Sequence, residues 1–104
     1  MKFIPFLLVF TACAGGAKDA RVTTILGLTG DTAAGETIFS TNCSGCHGAD
    51  ATGGSGPSLV AAYAEGEDEE MMDYIINGDG DMPAFGESLA DQDIADVWAY
   101  VGSL

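Results

Sequence analysis

Apolar residues run without a charged break from Phe3 to Phe10, and no later stretch of the chain is as densely hydrophobic. Lys2 precedes the run, and Thr11-Ala12-Cys13-Ala14-Gly15-Gly16 follows it, the layout of an export signal. The run is about half the length of a spanning helix. Val22 to Leu28 is again apolar, with several β-branched residues, so part of it is expected to pack rather than swing free. Beyond it, Asp31 is a plausible N-cap for a helix from Thr32 to about Asn42, with Gly35, Ile38 and Phe39 on one side. Five glycines in the twelve residues 45–56, followed by Pro57, require a loop. Met71, Tyr74 and Ile75 recur at helical spacing within a predicted helix from Asp68 to Asn77, which Gly78 closes. Ile94, Val97, Trp98 and Val101 do the same within a helix from about Asp91 to Val101. No segment alternates with period two, so the fold class is all-α.

The pattern divides the 104 residues into a signal peptide at 1–12, a tether at 13–30 and a folded domain at 31–104. Charge sharpens that division. The chain carries 16 acids and 3 basic residues, and from Asp31 onward there are 15 acids and neither Lys nor Arg. Such a domain offers nothing to nucleic acid phosphates. It has no basic patch for an anionic lipid surface either. A core this small contributes only a few kcal/mol, so another element should hold the fold together.

Cys43-Ser44-Gly45-Cys46-His47 supplies that element, because C-x-x-C-H is the attachment signature of c-type haem. Cysteines three apart at a helix end share a side, where both thiols reach the porphyrin vinyl groups and the adjacent His47 reaches the iron. A thioredoxin-like dithiol would need a βαβ setting, and the strand pattern is missing. Zinc would need further ligands, yet His47 is the only histidine and Cys13 the only other cysteine. One motif implies one covalent haem c. The second axial ligand cannot be another histidine, which leaves Met71, Met72 and Met82. Met71 and Met72 lie in a helical stretch, where an apolar pair usually fills core. Met82 lies in the loop Gly80-Asp81-Met82-Pro83-Ala84-Phe85, where Pro83 stiffens the backbone; it is the preferred ligand.

With these residues in hand, the stretch 31–104 resembles the small class I cytochromes c. In that family a glycine and a phenylalanine stand eight and four residues before the first haem cysteine, positions held here by Gly35 and Phe39. An aliphatic residue and an aromatic three later on the last helix match Val97 and Tyr100, with Trp98 between. A Met-Pro-x-Phe loop is a family feature too. The resemblance implies three to five short helices around one covalently bound haem, with the N- and C-terminal helices crossing. It also implies that the Pro57 carbonyl orients the proximal histidine, an acceptor that fixes the ring tautomer. The family often opens its last helix with a Ser or Thr cap, where this chain has Ala90. Asp91 would then cap one residue later, or the helix start would fray by about 1 kcal/mol.

His/Met ligation leaves the iron no open position, and thioether sulfur favours the ferrous state. The expected function is one-electron transfer between exported or membrane redox partners, with no catalytic residues. The alternatives are a haem-based gas sensor or small catalyst with a labile methionine, or a haem subunit of a larger oxidoreductase. Six acids among residues 65–73, with Asp79 and Asp81 beside Met82, suggest docking onto a basic patch; a general solvation role for these acids is the competing reading. The segment Asn77-Gly78-Asp79-Gly80-Asp81 superficially resembles a calcium loop, but Met82 replaces its required glycine and Ser88 its glutamate, so no calcium is expected. Cys13 after a short apolar run resembles a lipoprotein site, which would anchor the chain on the periplasmic side of a bacterial membrane. Phe10 is atypical there, and cleavage after Ala12-Cys13-Ala14 would instead give a soluble periplasmic protein.

Overall fold

A computed structural model describes residues 19–104. The signal segment, Cys13 and the first residues of the tether lie outside the described residues. Six helical segments follow in order: α1 Ala20–Leu26, α2 Thr32–Asn42, α3 Ser44–His47, α4 Leu59–Ala64, α5 Asp68–Asn77 and α6 Asp91–Gly102. There is no strand among the described residues, only an isolated bridge between Asp79 and Met82.

Local chemistry accounts for most of the boundaries. The Asp31 carboxylate accepts from the Ala33 and Ala34 amides at 2.9 and 3.2 Å, satisfying two of the orphan donors that open α2. The Ser58 hydroxyl does the same for α4 through the Ala61 amide, at 3.1 Å. Gly78, at φ 81°, ends α5, as its sequence position requires. The start of α6 departs from both expectations. Ala90 is the N-cap, and the Asp93 carboxylate reaches back to the Ala90 amide at 2.9 Å. That contact is the return half of a capping box, and it works without a side-chain oxygen at the cap.

The frame is the crossing of α2 over α6. Gly35 permits it: a β-carbon there would collide with the Asp96 backbone carbonyl and stand 3.0 Å from the Tyr100 β-carbon. One turn further on, Phe39 is fully buried and its ring lies 5.4 Å from that of Tyr100, tilted by 53°. The buried Asp96 side chain adds a polar tie, accepting from the Asp31 amide at 2.8 Å and from Gln92 Nε2 at 3.0 Å. A buried carboxylate is tolerable only with such donors. Val97, one turn from Tyr100 on the same helix, is buried in the core with Phe39 and also lines the cavity described below.

Helix α1 falls within residues 13–30, the segment read as a tether. Val22 and Ile25 are both buried, and the helix packs against α5 and α6. This part of the tether therefore packs on the domain. The run of Val22, Thr23, Thr24 and Ile25 has low helix propensity, and burial of one face overrides it. Asp19, whose side chain caps the Arg21 amide at 2.9 Å, and Gly27 at the far end were the available sequence signals.

Candidate haem site

The haem motif forms at a joint between two helices. Cys43 ends α2 by donating its amide to the Phe39 carbonyl at 2.8 Å, and α3 then makes a single turn. The Cys46 and His47 amides both return to the Cys43 carbonyl, at 3.2 and 3.1 Å, which sets the two cysteines and the histidine around one turn. Both thiols are free. Cys43 is half-buried and its thiol is pushed up to about 11, chiefly by burial and then by the neighbouring Cys46.

His47 is buried, and its Nδ1 lies 2.8 Å from the Pro57 carbonyl oxygen. A carbonyl can only accept, so Nδ1 carries the proton and donates, and Nε2 keeps its lone pair for a metal. The glycine-rich loop builds this contact. Gly53 and Gly56 donate to the His47 and Cys46 carbonyls at 2.8 and 2.7 Å, folding the loop back over the motif. A β-carbon on Gly56 would come within 2.9 Å of His47 Cε1 and 3.0 Å of Nδ1, so glycine is needed where the chain passes the ring.

Cys43, Cys46 and His47 open onto a cavity of ≈ 360 Å³. Val97, Trp98 and Val101 of α6 wall it, and Met82, Pro83 and Phe85 face it from the loop after α5. That loop is tightly shaped. Asp79 and Met82 exchange backbone hydrogen bonds of 3.1 and 2.9 Å across Gly80 and Asp81, with Gly80 at φ 60°. Left-handed backbone at the first central position of such a turn favours glycine. The Phe85 and Gly86 amides then cap the last carbonyls of α5, at Ile75 and Ile76.

The three methionines separate cleanly. Met72 is fully buried in the core and does not line the cavity, whereas Met71 and Met82 are half-buried and both line it. The donor set fits a covalently held haem: two thiols on one turn, a buried imidazole with a fixed tautomer, thioether sulfur and a largely aliphatic and aromatic wall. Sequence reasoning did not assign Trp98, Val101 or Phe85 to the site; their helical spacing marked the first two as buried, without saying against what.

A cytochrome-type family model, described as "Cytochrome C oxidase, cbb3-type, subunit III", matches residues 30–101. The chain is 38% identical over 87 residues to cytochrome c6 from Picosynechococcus sp., an alignment covering 68% of this chain and 71% of the relative. Among solved structures, cytochrome c6 from the diatom Phaeodactylum tricornutum superposes with a TM-score of 0.56 at 38% identity, over 69% of this chain and 91% of that one. Cytochrome cL from Hyphomicrobium denitrificans superposes with a TM-score of 0.59 at 29% identity, over 67% of this chain and 45% of that one. Fold and site therefore define a small, all-α, single-haem protein of the class I type. The chain belongs to the cytochrome c family. It carries one covalent c-type haem and acts as an electron carrier rather than an enzyme, working with redox partners.

Proposed function

We propose that Cys43 and Cys46 carry the thioether bonds, that His47 and Met82 are the axial ligands, and that Pro57 orients His47. The observation that carries this reading is the buried His47 with Nδ1 held by the Pro57 carbonyl, opening onto a cavity that Met82 also lines. The haem supplies the Fe(III)/Fe(II) couple; the protein supplies a dry wall and two ligands whose backbones are each pinned by hydrogen bonds. A site that moves little between oxidation states suits a carrier. Met71 lines the same cavity and is the competing sulfur. Met82→Ala should lower the reduction potential and open the ferrous iron to carbon monoxide, while Met71→Ala should do neither. The reverse pattern transfers the ligand to Met71, and rapid carbon monoxide binding by the unaltered protein favours the sensor or small-catalyst reading.

Exported carriage follows from the leader and from covalent haem attachment. We favour lipidation at Cys13 over cleavage to a soluble periplasmic form; a mature N-terminus at Gly15 by mass spectrometry would exclude it. Exposed Asp79 and Asp81 flank Met82, and the acids of 65–73 lie on α5 and the turn before it. This supports a negative docking face for a basic partner patch. Electron-transfer rates should then fall as ionic strength rises. A second reading, the haem subunit of a larger oxidoreductase, is favoured by the description of the matching family model. Co-purification from the native membrane separates a free carrier from a subunit.

A further inference from the structure

We infer that Arg21, on the helix that precedes the family-matched region, is a positioning residue for the loop that carries Met82. Arg21 is the only Lys or Arg among the described residues. Its guanidinium uses all three nitrogens on one short segment: Nη1 donates to the Gly86 carbonyl at 2.6 Å, Nη2 to the Leu89 carbonyl at 3.0 Å, and Nε to the Asp91 carboxylate at 2.6 Å. Gly86 stands four residues after Met82, and it is the point where the loop is sandwiched. Its amide donates to Ile76 on α5, its carbonyl accepts from Arg21, and a β-carbon there would stand 2.8 Å from the Ile76 carbonyl oxygen and 3.1 Å from Arg21 Nη1.

The near end of the loop is held by the Asp79–Met82 exchange and the far end by this sandwich, so the approach of the Met82 sulfur is set from both sides. Helix α1 brings the arginine there by burying Val22 and Ile25, and the Asp19 amide donates to the Asp73 carboxylate of α5 at 3.2 Å. The planar fork is what allows one side chain to serve three acceptors; a lysine ammonium is a single point of charge on a flexible stem. Residues 30–101 match the family model, so α1 and its arginine lie outside the matched region. The role rests on Met82 being the axial ligand.

The test uses the haem-loaded protein and reads the iron–methionine bond directly. The readouts are the ferric sulfur-to-iron charge-transfer band, the pH at which it is lost, and the rate of carbon monoxide binding to the ferrous form. Arg21→Gln should raise that rate roughly tenfold or more, the scale of a lost charge-assisted hydrogen bond, and move the loss of the band to lower pH. Asp91→Asn, which keeps both carbonyl contacts, should shift either readout less, and Arg21→Lys should fall between. A band present in the unaltered protein, lost in Met82→Ala and unmoved in Arg21→Gln overturns the positioning role alone. A band that survives Met82→Ala, or is absent throughout, overturns the ligation and this inference with it. Should Arg21→Gln yield no loaded protein, Arg21→Lys decides: unchanged readouts in it refute the role.

Discussion

Replacing Gly35 with alanine sets two physical effects against each other, and the structure says which wins. Helix propensity alone favours the change by about 1 kcal/mol, since glycine in a helix interior is the poorer residue. Packing opposes it. The new methyl would be driven into the Asp96 backbone carbonyl and against the Tyr100 β-carbon, where α2 crosses α6. A backbone carbonyl cannot rotate aside as a side chain can, so the helices must separate, loosening Phe39 against Tyr100 and the Asp96–Asp31 hydrogen bond. Overpacking of this kind costs about 1–3 kcal/mol and occasionally more, and the upper end applies here. The expected net loss is about 2 kcal/mol, which lowers the melting midpoint of a domain this size by roughly 10 °C. Gly27→Ala is the matched control, because its β-carbon would meet only ordinary contacts of 3.5 and 3.6 Å and its φ of −84° suits alanine. It should be neutral or stabilising by a few tenths of a kcal/mol. Denaturant titration of both variants, followed by helical circular dichroism, measures the difference. A Gly35→Ala variant as stable as the unaltered protein would refute the close crossing.

Two further outcomes follow from the site. Gly56→Ala should crowd the His47 ring, weaken its hydrogen bond to the Pro57 carbonyl and make the imidazole a poorer donor, so the reduction potential should rise; redox titration that shows no shift would contradict the role given to that carbonyl. In the haem-free protein the Cys43 thiol, pushed up from its ordinary value of 9.0 to about 11, should hold roughly a hundredfold less thiolate at neutral pH than an unperturbed thiol, so alkylation should label exposed Cys46 first. Between about pH 9 and 11 the native thiol keeps a proton that the unfolded one has released, so its contribution to stability is complete below pH 9 and is lost as pH rises through 11. Equal labelling rates for the two cysteines would show that Cys43 is not shielded.

Short-range chemistry was legible along the chain. Asp31, Gly78 and the spacings of Met71, Tyr74 and Ile75 and of Ile94, Val97, Trp98 and Val101 located three helices, because caps and periodicity act between near neighbours. The haem motif was legible for the same reason, since two thiols and an imidazole within five residues need only one turn to converge. Packing of part of the tether was legible from the apolar residues Val22 to Leu28, but not its helical form, because β-branched residues have low helix propensity and only the partner surface on α5 and α6 makes a helix there worthwhile. Helical periodicity placed Val97, Trp98 and Val101 on a buried face but could not say that this face also walls a cavity.

By itself, then, the amino-acid order determined an acidic all-α domain with one covalent haem. The tertiary structure alone decided which methionines reach the cavity, how the Pro57 carbonyl meets Nδ1 ten residues away from His47, and that Arg21 would grip a loop 65 residues further on. Those contacts depend on how the helices cross, and the crossing is a sum of many distant packings rather than a property of any local stretch.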